Sequence, residues 1–258
     1  MKKILYFLGV LALMAGFVSC DKEEGEDDGN SKKAKKLTKV VDGSSYYSFV
    51  YDESGRCSSY YDSSEEETAK YTYYDGKIVE EVCLPDGEVR VTTSLTLNSD
   101  GYIKSKKVEN GGAEITVYSY DKEGQLLSVT DSDEDGYSYV INFTWENGNV
   151  TKVETHEQEN GESYDLTILF EYTNSENLTP IENKVGFTMM QIEDGKYSTP
   201  YYLSGVALKN LPVEIKYMES GKEFASLNVI WTFDADGYPT KMLSKERNYE
   251  SSVEFVWE

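Results

Sequence analysis

An acidic run in the middle of the chain has the residue types and spacing of half a calcium-binding loop. Residues 131–136 read Asp-Ser-Asp-Glu-Asp-Gly, so hard oxygen donors recur at Asp131, Asp133 and Asp135 before a glycine that permits a sharp turn. The position that should supply a bidentate acid is Asn142, and the flanking segments alternate like strands rather than helices. The run is therefore interpreted as a solvated acidic hairpin turn, with a Ca²⁺ site at Asp131, Asp133 and Asp135 as the alternative. No other cofactor is predicted.

Acid–base and nucleophilic chemistry find little support in the sequence. The single histidine, His156, lies in an alternating segment without a nucleophile-elbow motif, and it is predicted to be a solvent-facing strand residue. The chain has 47 Asp and Glu residues, so carboxylate pairs at the separation used for glycoside hydrolysis arise by chance. The prediction is a protein without catalytic activity, and the alternative is a glycan hydrolase that uses paired carboxylates.

Tyrosine is the most suggestive excess, with 22 residues. Tyrosine rings can stack on sugar faces while their hydroxyls form hydrogen bonds, but tyrosine is also a good strand residue. Several tyrosines recur at one position of a repeated pattern and are predicted to be structural, in particular Tyr51, Tyr73 and Tyr120. Three others lie in an irregular segment and are the predicted ligand-binding residues, because binding groups concentrate in loops on a rigid scaffold: Tyr197, Tyr201 and Tyr202.

The element that must position these residues is a β-hairpin that the chain repeats. Each copy has an alternating aromatic and apolar run, an Asp or Asn, a Gly, and a second alternating run, and the clearest copy spans residues 118–130. Turn glycines recur at 55, 76, 101, 124 and 148, spaced by the length of two strands and two turns. Because short connections make sequence neighbours into spatial neighbours, the repeat predicts an antiparallel meander.

Alternation also predicts the two faces of this sheet. Tyr139, Ile141, Phe143 and Trp145 share one face, and the residues between them are mostly polar. So many strands should curl around the apolar face to hide their edges. The predicted fold class is therefore all-β, an antiparallel β-meander of repeated hairpins that curls into a barrel or half-barrel, over a single domain at residues 37–258.

The alternation breaks between Glu182 and Ser226, although strands are predicted to resume at residues 213–218 and 224–233. Long irregular segments in compact domains are usually functional or disordered, so this one is the predicted location of a binding site. The structural alternative is that its aliphatic residues fold inward as a plug for one end of the curled sheet. These residues are Leu203, Val206, Leu208 and Leu211.

The first residues predict export and a lipid anchor. Lys2 and Lys3 precede a short apolar run, and the segment closes on Val-Ser-Cys20, so residues 1–19 are a predicted signal peptide. The junction resembles a bacterial lipobox, which implies a diacylglyceryl group on Cys20. Residues 20–36 are a predicted flexible tether, and their acidic start resembles the export signal of surface lipoproteins of the Bacteroidota.

The net charge limits the classes of binding partner, and the positions of the cysteines limit disulfide formation. The formal net charge is −22 and becomes −24 when Lys2 and Lys3 are removed, which disfavours nucleic acid and anionic lipid headgroups as partners. Beyond Cys20 the chain has only Cys57 and Cys83, in the second strands of consecutive hairpins. Two inter-strand steps exceed the reach of a disulfide, so two buried unpaired thiols are predicted.

Several motifs together resemble a Bacteroidota lipoprotein family of unknown function that is described as having a porin-like fold. These are the lipobox, the acidic tether, the repeated Tyr-Asp-x-x-Gly hairpins, residues 205–212 and residues 233–240. The resemblance implies a meander or barrel at the cell envelope and no assigned catalytic residue.

The predicted location is the outer membrane, lipid-anchored and surface-exposed, with a glycan or an envelope protein as partner. A true outer-membrane barrel is the third possibility, and it is disfavoured because most predicted strands are shorter than the 9–11 residues that span a bilayer.

Overall fold

The structure is a computed structural model and describes residues 35–109, 115–132, 137–159, 161–173, 208–247 and 249–258. In this part of the chain sixteen strands form one sheet. Their bounds are β1 Leu37–Asp42, β2 Ser45–Tyr51, β3 Cys57–Asp62, β4 Glu67–Tyr74, β5 Lys77–Cys83, β6 Val89–Leu97, β7 Ile103–Val108, β8 Ile115–Tyr120, β9 Leu126–Ser132, β10 Ser138–Glu146, β11 Asn149–Glu159, β12 Glu162–Tyr172, β13 Pro212–Glu219, β14 Lys222–Phe233, β15 Pro239–Glu246 and β16 Tyr249–Trp257.

Every strand pairs antiparallel with its neighbours in sequence, and β1 pairs with β16, so the sheet is a closed barrel. The seam joins Leu37 to Trp257 and Val40 to Phe255. We call the end at which β1 begins and β16 ends the proximal end, and the opposite one the distal end. The predicted all-β meander is confirmed, and full closure is the form that it takes.

Three of the turns at the proximal end share one chemistry. In the turns after β6, β8 and β14, the Oδ1 atoms of Asn98, Asp121 and Asp234 each accept two backbone N–H groups, from residues two and four positions later. The glycine three residues after the Asp or Asn has a positive φ, for example 80° at Gly124, which a residue with a Cβ rarely adopts. The repeated Asp and Gly are therefore turn-forming residues.

A second repeated device lies just inside these turns. An aromatic residue near the proximal end of each even-numbered strand except β6 donates a hydrogen bond, 2.6–2.8 Å long, to a carbonyl at the start of the preceding strand. We call these bonds the aromatic clasps. They join Tyr51 to Leu37, Tyr73 to Cys57, Tyr120 to Ile103, Trp145 to Leu126, Tyr172 to Val150, Trp231 to Pro212 and Trp257 to Pro239. The structural role predicted for Tyr51, Tyr73 and Tyr120 is thus confirmed.

The barrel has an apolar inside and a polar outside. Inward-facing residues such as Leu95, Ile141 and Met242 are fully buried, and they belong to one continuous hydrophobic core. Outward positions carry exposed charged residues, including Lys70, Lys104, Glu154, Glu171, Lys245 and Glu254. This distribution is the reverse of that in transmembrane porins, whose outer face is apolar and whose lumen is polar.

Two details correct the predicted boundaries. The strands predicted at residues 213–218 and 224–233 are confirmed as β13 and β14, which pair from Glu214 with Asn228 to Glu219 with Lys222 with one bulge, so the break ends before β13 rather than at Ser226. Pro212 is tolerated at the first position of β13, where a missing N–H costs little. Asp131 was placed in a turn but lies in β9, opposite Tyr139 of β10, because the ladder extends two residues farther than the apolar alternation.

The cysteines and the histidine lie as predicted. Cys57 and Cys83 are buried and unpaired. Cys57 begins β3 at the proximal end, whereas Cys83 ends β5 at the distal end, so the two thiols are separated along the barrel as well as around it. The His156 side chain is 48% exposed, and its Nδ1 lies 2.6 Å from Asp165 Oδ1 on the neighbouring strand. The described residues contain no helix that is long and apolar enough to cross a bilayer.

Candidate functional site

Most of the predicted site residues fall outside the described part of the chain. These are Cys20, Asp133, Asp135, Tyr197, Tyr201 and Tyr202. Asp131 is described, and its Oδ2 accepts a long hydrogen bond of 3.4 Å from Thr116. Among the described residues no three His, Cys, Asp or Glu side chains come together as metal ligands.

An open pocket of about 630 Å³ lies at the proximal end. Three parts of the chain form it: the β10–β11 turn, the end of β12, and the segment that leads into β13. Its lining consists of Glu146, Asn147, Asn149, Thr151, Phe170, Glu171, Tyr172, Thr173, Lys209 and Asn210. Lys209 and Asn210 belong to the segment, residues 182–226, in which the sequence predicted a binding site.

One wall of the pocket is fixed by an amide pair. Asn149 Nδ2 donates to Asn210 Oδ1, and the backbone N–H of Asn210 donates to Asn149 Oδ1, both at 2.8 Å. The N–H of Lys209 also donates to the carbonyl of Gly148 at 2.9 Å. Gly148 has φ +82°, and a Cβ there would lie 3.2 Å from Lys209 Cβ, so both the turn and the close approach favour glycine.

The same segment closes the proximal end of the core. Leu208 and Leu211 are buried, and Leu208 belongs to the main core cluster. The predicted plug is confirmed for these two residues, whereas Leu203 and Val206 lie outside the described residues. The pocket therefore rests on a rigid floor rather than on a loop alone.

Some polar groups of the pocket have partners among the described residues of the protein, and others have none there. The Tyr172 hydroxyl is used in an aromatic clasp, and Glu171 is paired with Lys216 at 2.8 Å, which lowers the pKa of the Glu171 carboxyl. Within the described residues, the side chains of Glu146, Asn147 and Lys209 make no hydrogen bond or ion pair. A carboxylate, an amide and an ammonium group thus face one polar pocket.

These three groups are suited to a ligand rich in hydroxyls. A carboxylate accepts two hydrogen bonds, an amide both donates and accepts, and an ammonium group donates three. Phe170 and Tyr172, whose ring centroids are 6.5 Å apart, add an apolar edge to the polar wall. A few convergent polar groups beside an aromatic edge are typical of saccharide recognition.

A second unusual site lies inside the barrel, at Glu80. Its side chain is fully buried, and neither carboxylate oxygen has a partner at hydrogen-bonding geometry. Ile78 and Val82 flank it along β5, and its cross-strand neighbours are Tyr71 and Thr93. An ionised carboxylate in such surroundings is costly unless it is paired.

Burial raises the pKa of Glu80 to about 8, although the nearby Tyr71 hydroxyl and the charge of Lys106 act in the opposite direction. Tyr71 is also buried, and burial followed by the charge of Glu80 raises the pKa of its phenol. A glutamate whose pKa moves from 4.5 to about 8 on folding destabilises the native state at pH 7 by about 3 kcal/mol, relative to acidic pH.

Sequence reasoning missed both sites for identifiable reasons. Glu80 alternates in phase with Ile78 and Val82, so all three lie on one face of a strand, which could indicate an acid that faces the core. However, Val79 and Cys83 make the opposite face equally apolar, so the sequence does not say which face is buried. Asn149 follows the turn glycine directly, and nothing local links it to Asn210, 61 residues later.

Comparison with known proteins places this barrel among porin-like structures. Residues 49–241 match the family model described as "Domain of unknown function (DUF4595) with porin-like fold". No curated protein matches the chain.

Two solved structures share the fold. A porin-like protein from Bacteroides uniformis ATCC 8492 is 15% identical with a TM-score of 0.62, over 86% of this chain and 96% of that one. A porin-like protein from Bacteroides vulgatus ATCC 8482 is 13% identical with a TM-score of 0.60, over 86% of this chain and 98% of that one.

Proposed function

We propose that this chain, which belongs to the family of unknown function with the porin-like fold, is a lipid-anchored envelope protein that binds a saccharide and does not convert it. The observation that carries the proposal is the open polar pocket at the proximal end of a barrel whose interior is filled by packed side chains. In a barrel of this kind a ligand can bind at the rim, whereas the packed interior does not serve as a channel for a solute.

The polarity of the barrel supports a location in water. A barrel of sixteen strands in a porin encloses an aqueous channel and presents an apolar band to lipid. Here the core side chains fill the interior, and outward apolar residues are interrupted by polar ones. Val117, for example, has Ser105 and Thr130 as its cross-strand neighbours.

The proposed anchor then determines which end faces the membrane. The Lys35 side chain contacts two carboxylates, with Nζ 2.6 Å from Asp234 and 2.8 Å from Asp236. The backbone N–H of Lys35 donates to the Tyr238 hydroxyl. The N–H of Lys36 donates to the carbonyl of Glu258. The chain thus joins the barrel at the proximal end, 15 residues after Cys20. A lipid on Cys20 would hold the pocket toward the membrane surface, where saccharides attached to the envelope are within reach.

The carboxyls favour binding over hydrolysis. A glycoside hydrolase needs a protonated carboxyl at the bond that it cleaves. Lys216 lowers the pKa of the Glu171 carboxyl in the pocket. The one carboxyl with a strongly raised pKa, among those for which the described residues show a shift, is Glu80, which is fully buried. The lowered pKa of Glu171 and the burial of Glu80 therefore support binding over hydrolysis.

The test is a screen of immobilised saccharides with the mature chain carrying Cys20→Ala, compared with a pocket variant that combines Glu146→Gln and Asn147→Ala. The mature chain should bind at least one class of saccharide, and the pocket variant should bind it at least tenfold more weakly. Glu123→Gln, in the neighbouring β8–β9 turn, serves as the matched control and should bind normally. Retained binding in the pocket variant, or no binding to any saccharide, would refute the proposal.

A further inference from the structure

The interior of the barrel contains a row of aromatic and polar side chains on neighbouring strands, and the proposed function does not use this row. Phe49, Tyr60 and Tyr71 lie side by side across β2, β3 and β4, with successive ring centroids 6.3 Å apart. Glu80 continues this row on β5, directly opposite Tyr71, and Thr93 follows on β6. The Glu80 carboxyl group therefore lies next to the last of three aromatic side chains in this row.

The surroundings of Glu80 offer it little stabilisation as an ion. Thr93 is buried beside it, and the apolar side chains of Ile78, Val82 and Leu95 are 0–7% exposed. Neither carboxylate oxygen of Glu80 nor the Tyr71 hydroxyl makes a hydrogen bond of good geometry, although the two side chains face each other closely enough for the hydroxyl to oppose the rise in the pKa of Glu80. Native proteins leave few buried polar groups in this condition, and each is a candidate for a functional role.

The titratable and charged groups that face Glu80 come from three strands. Tyr60 on β3 and Tyr71 on β4 are neutral phenols, and the Glu80 charge, after burial, raises the pKa of both. Lys106 on β7 is the single cation that acts on Glu80, and it forms no ion pair with it in the described residues. One cation that forms no ion pair with Glu80 and two neutral phenols do not replace the water that a buried carboxylate loses.

We infer that Glu80 is an interior proton-binding site: the folded barrel keeps this carboxyl protonated in neutral solution, and loss of the proton weakens the fold. The direction of the effect follows from proton linkage. The unfolded chain releases this proton near pH 4.5, and the folded barrel keeps it to about pH 8. The stabilisation from the bound proton is complete below pH 4.5 and is lost as the pH rises to about 8.

The retention of such a residue is informative because an amide or an aliphatic side chain would fill the same place without this penalty. Natural sequences keep destabilising residues mainly where another property requires them. The property that this site provides is a dependence of barrel stability on the pH of its surroundings. It is independent of the proximal pocket, which lies on β10, β11, β12 and the segment before β13.

Two measurements on the folded protein test the inference. The first is the folding equilibrium constant of wild type, Glu80→Gln and Glu81→Gln between pH 5 and 8, by denaturant unfolding. Glu81 is the adjacent acid on the outward face of β5 and provides the matched control. Between these pH values the wild-type constant should fall by up to tenfold per unit relative to Glu80→Gln, and Glu81→Gln should follow the wild type. Equal slopes in wild type and Glu80→Gln would overturn the inference.

The second measurement does not need Glu80→Gln and decides the question even if that variant does not fold. In protein labelled with ¹³C at the glutamate carboxyls, one carboxyl signal should titrate near pH 8, and the same signal should remain in Glu81→Gln. Titration of every glutamate below about pH 6 would show that Glu80 is solvated as an ion and would overturn the inference.

Discussion

At the scale of single residues, many of the aromatic and acidic side chains form the repeat itself. The Asp and Asn residues of the proximal turns accept backbone N–H groups, and the tyrosines and tryptophans of the aromatic clasps donate to backbone carbonyls. Both sets satisfy main-chain groups at the ends of strands, where the ladder no longer does so. An excess of Tyr and Asp in the sequence is therefore better evidence for a repeated hairpin than for a glycan-binding surface.

The clasp at Tyr120 gives a direct test of this reading. Its hydroxyl lies 2.7 Å from the carbonyl of Ile103 and is partly buried, so Tyr120→Phe should lower the free energy of unfolding by about 1 kcal/mol. Tyr74→Phe is the control, because Tyr74 is 59% exposed, and it should change stability by less than about 0.5 kcal/mol. Urea unfolding measures both, and equal values for the two variants would show that the clasp does not stabilise the barrel.

Residue-scale prediction from the sequence succeeded where a role repeats. Tyr51, Tyr73 and Tyr120 occupy the same position in successive hairpins, and this recurrence identified them as structural. Glu80 occurs once, in a strand whose two faces are equally apolar, so its inward orientation depends on pairing with β4 and β6. Local periodicity does not contain that information.

At the scale of elements, the segment before β13 does two things at once. Leu208 and Leu211 enter the core, and Asn210 binds the β10–β11 turn through Asn149. The floor of the pocket and the plug of the barrel are thus the same four residues, 208–211. Stability and ligand binding at the proximal end should be coupled through them.

A double-mutant cycle measures the strength of this docking. Asn149→Ala removes both hydrogen bonds of this buried pair, whereas Asn210→Ala removes the acceptor of Asn149 Nδ2 and keeps the backbone N–H that donates to Asn149 Oδ1. We expect a coupling free energy of about 1 kcal/mol or more in unfolding experiments, since the groups are in direct contact. Asn142→Ala, at an exposed outward position on β10, should be additive with Asn210→Ala. Additive effects of Asn149→Ala and Asn210→Ala would contradict the docking.

Alternation predicted the elements well where both faces are distinct. Tyr139, Ile141, Phe143 and Trp145 were assigned to one face, and burial alternates as predicted in the middle of β10, where Ile141 and Phe143 are buried and Asn142 is exposed. The strands on both sides of Ser220 and Gly221 were also predicted, and they are β13 and β14. In the structure, Pro212 begins β13 and Gly221 forms a two-residue turn with Ser220, so both mark strand ends.

At the scale of the whole molecule, closure depends on a contact that the sequence does not reveal. The meander follows from short connections, but the pairing of β1 with β16 joins residues more than 200 positions apart. The sequence therefore predicted curling and left the choice between a barrel and a half-barrel open. The seam is reinforced by Lys35, which contacts the turn between β14 and β15, and by Lys36, whose backbone pairs with Glu258 just after β16.

The distribution of polarity over the whole barrel supports the proposal that the barrel lies in water and that a lipid on Cys20 is what holds it to a membrane. The most direct measurement is the partition of the mature chain carrying Cys20→Ala, produced without residues 1–19, between buffer and membranes in the absence of detergent. The charged outer face predicts that this protein stays entirely in the buffer as a folded, dispersed barrel, whereas the lipidated wild type remains with the membrane. A Cys20→Ala protein that inserts into membranes, or that dissolves only in detergent, would contradict the account.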